Sequence, residues 1–234
     1  HIAAMAGVRP SIEQPDLYTA VNLDGTVNVL DAAVKVGAEK LLFASSSSVY
    51  GNNDKVPFSE EDPVDYPISP YAATKRAGEL ICHTYSHLHK LPIFCLRFFT
   101  VFGPRQRPDL AISKFLRMVD AGEPIPVFGD GSTSRDYTYV QDIVSGIHLA
   151  YQHCDRFRIY NLGGSSPVSL TEMIETVERV VGKSAVIDRQ PMQPGDVERT
   201  FADVSRSHDE LGYAAEVSFE EGVARHWSWM QSRL

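Results

Sequence analysis

The feature that most constrains the fold of this 234-residue chain is an alternation of helical segments with short, continuous apolar runs. Residues 11–36 carry an apolar side chain about once per helical turn, and the apolar run 41–44 follows directly. Residues 69–89 repeat the helical pattern behind an N-capping serine and a first-turn proline, and the apolar segment 92–99 follows. Continuous apolar runs of this length are typical of strands buried on both faces of a parallel sheet. The pattern predicts an α/β fold with an open, doubly wound parallel sheet.

The second half of the chain departs from this regular alternation. Two segments of strand-like composition, 125–128 and 135–140, flank Asp130 and Gly131, and this arrangement predicts a β-hairpin. Helical patterns precede and follow these segments, so we expect a second, smaller α/β domain in this part of the chain.

The domain boundary is expected at a glycine-proline turn, where the second buried strand ends. Residues 1–103 then belong to the doubly wound domain, and residues 104–234 form mainly the smaller domain. Within the second part, we expect about 140–163 to return to the first sheet. The sequence contains no internal repeat and no low-complexity tract.

Composition excludes several classes of function. The chain has 22 basic and 30 acidic residues and no basic block, which argues against binding to nucleic acid or to an anionic membrane surface. No stretch reaches eighteen apolar residues, so we expect no membrane span. The three cysteines are too widely spaced for a disulfide framework, which favours a reducing, cytoplasmic location. A small molecule or a protein is therefore the expected partner.

One helical cluster contains residue types that ligate metals, namely Cys82, His83, His87 and His89. Two histidines one turn apart without a further ligand class nearby are more often partly exposed surface residues. We therefore predict no metal site.

Tyr71 and Lys75 lie four residues apart near the start of the second helix, so both side chains project from one face at its positive end. Such a pair is usually a half-buried aromatic beside a solvated charge. However, a tyrosine becomes a usable base near neutral pH where a nearby cation stabilises its phenolate. Four consecutive hydroxyls, Ser45–Ser48, follow the strand predicted just upstream. Ligands of doubly wound sheets bind at that edge, which predicts a catalytic site there.

The sequence resembles the extended short-chain dehydrogenase/reductases, in the branch of NAD-dependent nucleotide-sugar epimerases and dehydratases. The resemblance extends over essentially the whole chain. It rests on four motifs in the expected order: Ala44-Ser-Ser-Ser-Ser-Val-Tyr-Gly51, Ser69-Pro-Tyr-Ala-Ala-Thr-Lys75, Leu96-Arg-Phe-Phe-Thr-Val-Phe-Gly-Pro104 and Arg135-Asp-Tyr-Thr-Tyr-Val140.

The resemblance implies a Rossmann-type sheet, NAD as the cofactor and a UDP-sugar as the substrate. Ser46 matches the family's catalytic serine or threonine, and Tyr71 matches its base. Lys75 matches the residue that lowers the pKa of the tyrosine and holds the nicotinamide ribose. Asn22 and Phe99 match cofactor-proximal positions, although Asn22 is also consistent with a polar residue on a solvent-facing helix surface.

The resemblance also implies substrate contacts in the second half of the chain. Phe128 matches the position that holds the uracil, Arg135 a pyrophosphate-binding arginine, and Asp196 a contact to the nucleotide ribose. Phe128 is alternatively a core aromatic residue. The substrate-binding residues expected in all are Ser47, Ser48, Thr100, Arg107, Phe128, Arg135 and Asp196.

Two departures from the family pattern are informative. The family's glycine-rich loop, which cradles the cofactor pyrophosphate, does not occur in these 234 residues, so we expect them alone to show no measurable NAD affinity. A catalytically silent fragment that binds only nucleotide or a partner is the corresponding alternative. In addition, Ser47 and Ser48 stand where 4,6-dehydratases place an Asp-Glu pair, so the acid and base for water elimination are absent.

The remaining pattern favours an epimerase that inverts C4 of UDP-glucuronate through a 4-keto intermediate. Thr100 and the segments 107–111 and 191–196 are similar to those of UDP-glucuronate 4-epimerases. Arg107 supplies a donor suited to a substrate carboxylate, although an interdomain ion pair is the alternative role. Neutral UDP-hexoses are the alternative substrates. The family also pairs the helices 11–36 and 69–89 across a homodimer, which the resemblance implies here.

Overall fold

The computed structural model describes residues 1–191 and 199–233, and helices alternate with strands along most of that range. Its helices are α1 (Val8–Glu13), α2 (Pro15–Thr19), α3 (Gly25–Lys35), α4 (Pro70–His89), α5 (Ala111–Ala121), α6 (Val140–His153), α7 (Leu170–Val181), α8 (Ser205–Leu211) and α9 (Phe219–Gln231). Its strands are β1 (Leu41–Ser46), β2 (Ile93–Phe98), β3 (Thr100–Phe102), β4 (Pro124–Phe128), β5 (Ser134–Tyr139), β6 (Phe157–Leu162), β7 (Pro167–Ser169) and β8 (Val186–Gln190).

A parallel sheet with the strand order β1-β2-β6 forms the first layer. Alternate residues of β2 enter different cores, because successive side chains of a strand point to opposite faces. Ile93 packs with α3 and α4 in a cluster that includes Leu30 and Cys82. Phe94 packs on the other face with α6 and α8, through Ile143 and Leu211. Helices on both faces confirm the predicted doubly wound α/β class, and β6 places residues 157–162 in this sheet.

The helix expected over residues 11–36 is interrupted in the structure. Gln14 leaves the helical conformation, with φ of −133°, because Pro15 disfavours the α conformation in the residue before it. The chain is helical again from Pro15 and includes a π-helical turn at Ala20–Asp24. The expected left-handed end is confirmed, since Gly37 has φ of +67°.

The hairpin predicted across Asp130 and Gly131 is wrong. β4 pairs in parallel with β8, while β5 pairs with β3 and β7. The turn does form, since the Ser132 N–H donates to Asp130 Oδ1 at 2.9 Å. The loop then docks against the start of α7, where the Leu170 N–H donates to the Thr133 carbonyl at 2.8 Å. Distant strands therefore supply the pairing that the local turn was expected to make.

The second lobe packs around its own core, built mainly from α5, α7 and α9 against β3, β4 and β5. Phe102, Leu116, Ile125, Met173 and Trp227 belong to this cluster, and each fully buried aliphatic or Phe side chain stabilises the fold by about 1.5–3 kcal/mol. Within residues 1–191 and 199–233, none of the helices has the length and apolarity needed to cross a membrane.

Candidate active site

β1 and α4 bring two of the predicted catalytic residues together at the carboxyl edge of the first sheet. β1 ends at Ser46, whose Oγ accepts a hydrogen bond from the Ser48 N–H at 3.2 Å. α4 begins behind Ser69, whose Oγ accepts from the Ala72 N–H at 3.1 Å, and its first turn carries Tyr71. The Ser46 hydroxyl lies near enough to the Tyr71 hydroxyl to lower the pKa of Tyr71. A local cap and a strand end thus fix a serine beside a tyrosine.

The surroundings of Tyr71 determine its acidity. Burial raises the pKa of Tyr71, while the Ser46 hydroxyl and the positive charge of Arg107 partly lower it. The edge of the Tyr18 ring meets the Tyr71 ring at a centroid distance of 6.2 Å, and the Tyr18 hydroxyl donates to the Ala6 carbonyl at 2.9 Å. The neutral phenol form of Tyr71 is therefore favoured in this structure. For Tyr71 to act as a base, additional positive charge is required beside its ring.

Lys75 lies one helical turn after Tyr71 and is buried. Its Nζ donates to the Ala44 carbonyl at 2.7 Å and lies 5.2 Å from the centroid of the Phe43 ring. The distance from Nζ to the centroid of the Tyr71 ring is 6.0 Å. Burial lowers the pKa of Lys75 to about 8. Lys75 is thus held against β1, whereas the cation that lowers the pKa of Tyr71 in this structure is Arg107.

Asn22 is buried in the π-helical turn rather than facing solvent. Its side-chain amide pairs with the backbone of Met5, accepting from the N–H at 2.8 Å and donating to the carbonyl at 3.0 Å. Its Nδ2 also donates to Thr74 Oγ1 at 3.0 Å. Asn22 therefore ties the segment before α1 to the helix that carries Tyr71 and Lys75.

Four predicted substrate residues share a cavity of about 170 Å³ beside Ser46: Ser47, Ser48, Thr100 and Arg135. Thr200 and Phe58 also line it, although the sequence did not single them out. Among residues 1–191 and 199–233, the lining includes hydroxyls and one guanidinium but no carboxylate. This cavity is called the hexose-side cavity below.

A second cavity of about 310 Å³ shares Arg135 with the first and is called the nucleotide-side cavity. Phe128, the last residue of β4, lines this cavity and is only half-buried, so its side chain is not part of the core. Apolar residues form much of the remaining wall: Leu110, Ala111, Phe115, Pro126, Leu170 and Met173. The predicted uracil position thus lies at a largely apolar cavity next to a cation.

Phe99 lies below the site rather than in either cavity. Its ring is buried in an aromatic cluster, with centroids 6.3 Å from Tyr50 and 6.5 Å from Phe58. The cofactor contact of Phe99 stays a prediction.

Arg107 lies between the two lobes. Its Nη1 donates to the Ala6 carbonyl at 3.3 Å, and its Nη2 pairs with Asp109 at 3.1 Å, on a side chain that is 49% exposed. It is not among the residues that line the hexose-side cavity. The remaining predicted substrate residue, Asp196, lies outside the described residues.

The sequence interpretation missed a buried polar network directly below the site. Arg97 forms two hydrogen bonds with Glu79, at 2.8 and 2.9 Å, and donates to the Tyr50 hydroxyl at 2.9 Å. Ser45 donates to Glu79 at 2.6 Å, and Tyr50 donates to Asn161 at 2.7 Å. The sequence contains two signals for this network. Arg97 is a charged residue within an apolar run, and Glu79 lies four residues after Lys75 on the same face of the helix. In residues 1–191 and 199–233, no group of three His, Cys, Asp or Glu side chains is placed to hold a metal ion.

A tyrosine next to a serine, with a buried lysine one turn away, at the carboxyl edge of a doubly wound parallel sheet, defines a site of the short-chain dehydrogenase/reductase class. Residues 1–226 match the family model described as GDP-mannose 4,6 dehydratase. The chain belongs to this NAD-dependent epimerase/dehydratase family.

Individual relatives agree with that assignment. An uncharacterised protein of Methanocaldococcus jannaschii is 47% identical, over 98% of this chain and 70% of its own length. A probable UDP-glucuronate 4-epimerase of Rhizobium meliloti is 44% identical, over 98% of this chain and 73% of its own length. Among solved structures, MoeE5 in complex with UDP-glucuronic acid and NAD has a TM-score of 0.95 and 38% identity, covering 100% of this chain and 79% of that one.

Proposed function

We propose that the protein is an NAD-dependent epimerase that inverts C4 of UDP-glucuronate. The observation that carries this function is the placement of Ser46 next to Tyr71 beside a hydroxyl-lined cavity. The similarity to a probable UDP-glucuronate 4-epimerase and to MoeE5, which was solved with UDP-glucuronic acid and NAD, supports the choice of substrate and cofactor.

The chemistry assigned to the chain's own residues is proton transfer. Tyr71, as the phenolate, accepts the proton of the sugar 4-hydroxyl while hydride leaves C4, and Ser46 hydrogen-bonds the same sugar oxygen. A 4-keto sugar results. Rotation of this ring about its bond to the diphosphate presents the other face of C4 for hydride return, while Tyr71 gives the proton back. The configuration at C4 inverts without net redox change.

The residues at the sheet edge fit the nicotinamide end of NAD. Lys75 carries three N–H donors, one of which Ala44 accepts, so it retains donors for ribose hydroxyls. When bound, NAD supplies the acceptor and donor of the hydride. The positive charge of the nicotinamide would also stabilise the phenolate form of Tyr71, whose pKa burial raises.

The two cavities divide the substrate in a way that suits epimerisation. The larger, apolar and cationic cavity holds the nucleotide, and the smaller cavity offers short hydroxyl side chains to the hexose. Ser47, Ser48 and Thr100 donate to a sugar carboxylate, and the described lining of the hexose-side cavity presents no acidic side chain to repel it. Strong binding of the nucleotide and few contacts to the ring allow the 4-keto sugar to rotate.

The test uses the protein as it occurs in the cell, with NAD and UDP-glucuronate deuterated at C4. Proton NMR should show the C4 epimer, with deuterium kept at C4 because the hydride never exchanges with water. UDP-glucose in a parallel reaction should turn over more slowly. Loss of water to a 4-keto-6-deoxy product, or no turnover of any UDP-sugar, would contradict the proposal.

We further propose that the protein forms a homodimer through the helical segments 11–36 and 69–89. Large apolar side chains on these segments are exposed, with Leu17 at 40%, Leu80 at 54% and Leu88 at 66%. Sedimentation should show a dimer that Leu80→Lys with Leu88→Lys converts to a monomer. Val144→Lys changes a similarly exposed residue on α6 and should leave the dimer intact. A wild-type monomer would contradict the proposal.

A further inference from the structure

Arg9 reaches across the nucleotide-side cavity from the first lobe. It lies on α1, whereas the other residues of that cavity come from positions 109–173. Its guanidinium carbon is 5.4 Å from the centroid of the Phe128 ring, which is within the range of a cation–π contact. Arg9 therefore connects the lobe that carries Tyr71 to the wall at which the nucleotide is expected.

The described lining of this cavity carries more cationic than acidic side chains. Arg9, Lys114 and Arg135 line it, and Asp109 is the acidic residue among its described lining. Asp109 is itself paired with Arg107 at 3.1 Å, so its charge is largely compensated. Guanidinium groups bind phosphates through two parallel hydrogen bonds, which makes a nucleoside diphosphate the best chemical match for this set.

The distance between Arg9 and Phe128 excludes a base between them in the present arrangement. A base stacked between two flat groups requires a separation of roughly 7 Å, twice the usual contact distance. Since the observed distance is 5.4 Å, the guanidinium covers the ring face that a base would use. A nucleotide that stacks on Phe128 must displace Arg9 from that face.

The backbone that carries Arg9 is anchored, so its side chain can move without the helix. Asn22 holds both backbone groups of Met5, and Tyr18 donates to the Ala6 carbonyl at 2.9 Å. Arg9 itself is an exposed residue on α1. A displaced guanidinium therefore stays at the mouth of the cavity.

We propose that Arg9 is a phosphate-binding residue of the nucleotide site, which exchanges the Phe128 ring for the diphosphate when a nucleotide enters. The inference rests on the proposed function, because it takes UDP as the nucleotide. It adds a contact from the first lobe to those of Arg135 and Phe128, so that the nucleotide is held from both sides of the cleft.

Calorimetric titration of the protein with UDP and with uridine tests this assignment. Arg9→Ala should weaken UDP binding by roughly 10- to 100-fold, the usual effect of losing hydrogen bonds to a charged group. Its affinity for uridine should stay within about twofold of the wild type, because uridine has no phosphate. Arg9→Lys should bind UDP with intermediate affinity, since it keeps the charge but loses the planar pair of donors.

Arg117→Ala is the matched control, because it removes one positive charge from an exposed residue of α5 three positions after Lys114. It should leave UDP binding unchanged. Unchanged UDP affinity in Arg9→Ala, or an equal loss for uridine and UDP, would overturn the role of Arg9 and leave the proposed epimerase standing. Failure of the wild-type protein to bind UDP would overturn both.

Discussion

The ammonium group of Lys75 donates to the backbone carbonyl of Ala44, with Nζ and the oxygen 2.7 Å apart. Ala44 lies two residues before Ser46 on β1, and Lys75 lies one turn after Tyr71 on α4. A single hydrogen bond therefore joins the strand end that positions the serine to the helix that positions the tyrosine.

Burial of Lys75 lowers its pKa to about 8, which has a consequence for stability. Between pH 8 and about 10.5 the unfolded chain binds more protons at this site, so stability contributed by Lys75 rises with pH over that window. At pH 7 the cost of burying the charge is fully present. Lys75→Met should therefore raise the free energy of unfolding at pH 7 by about 1–2 kcal/mol, even after the loss of the bond to Ala44.

This gain should shrink as the pH rises towards 10.5, and denaturant melts at several pH values measure it. A variant that is less stable than the wild type at every pH would show that the hydrogen bond to Ala44 outweighs the burial of the charge. Turnover by Lys75→Met should be strongly reduced in either case.

Tyr71→Phe removes the proposed base while keeping the ring that packs on Tyr18. Turnover of UDP-glucuronate should fall by roughly two to four orders of magnitude, the usual contribution of positioned proton transfer. Binding of UDP-glucuronate, measured by calorimetry, should change little. Tyr18→Phe is the matched control and should retain most of the turnover. Weaker binding with unchanged turnover at saturation would rule out Tyr71 as the base.

The sequence interpretation assigned Arg107 to the sugar carboxylate, whereas the structure pairs it with Asp109. Its exposed pair with Asp109 contributes at most about 1 kcal/mol to stability, so Arg107→Ala should melt close to the wild type. If Arg107 binds the sugar carboxylate, the variant should lose roughly 2–5 kcal/mol of catalytic efficiency towards UDP-glucuronate and little towards UDP-glucose. Asp109→Asn should preserve the preference for UDP-glucuronate. Equal losses on both sugars would instead show that Arg107 acts through the pKa of Tyr71 or as an interdomain contact, and not on the carboxylate.

Arg97 and Glu79 form a pair in which both side chains are almost fully buried. Removing Arg97 leaves the buried Glu79 with the more exposed Arg76, at 3.1 Å, as its charged partner, so Arg97→Met should destabilise the fold by up to about 3–5 kcal/mol. Arg97→Met combined with Glu79→Leu should recover a large part of that loss. Chemical denaturation of the two variants gives the comparison, and a double variant no more stable than the single one would contradict this account.

His226 is fully buried, lies 3.3 Å from the Ser113 hydroxyl, and has no partner for Nδ1 within the described residues. Burial lowers its pKa to about 4. Between pH 6.5 and 4 the unfolded chain binds the additional proton, so stability falls as the solution is acidified through this range, by about 1–3 kcal/mol. His226→Gln should flatten the pH dependence of the melting temperature there. A wild-type slope that persists in the variant would exclude His226 as its cause.

Local sequence determined those elements whose signals lie within one or two turns. Ser69 and Pro70 cap and start α4, and the spacing of Tyr71 and Lys75 places them on one face of it whatever the rest of the chain does. The apolar runs became β1 and β2 because fully buried parallel strands require such composition. The α/β class and the placement of Tyr71 and Lys75 at the sheet edge were thus predictable.

Tertiary structure decided what depends on partners distant in sequence. The turn at Asp130 and Gly131 does not make a hairpin, because β4 and β5 find better partners elsewhere. Lys75 lies on α4, but the carbonyl that it donates to belongs to Ala44 on β1. The cation that lowers the pKa of Tyr71 is Arg107, 36 positions further along the chain. Periodicity and spacing in the sequence indicate which face of a helix or strand a side chain occupies. The groups that this side chain contacts, and therefore the pKa of the side chain, depend on how separate helices and strands pack together.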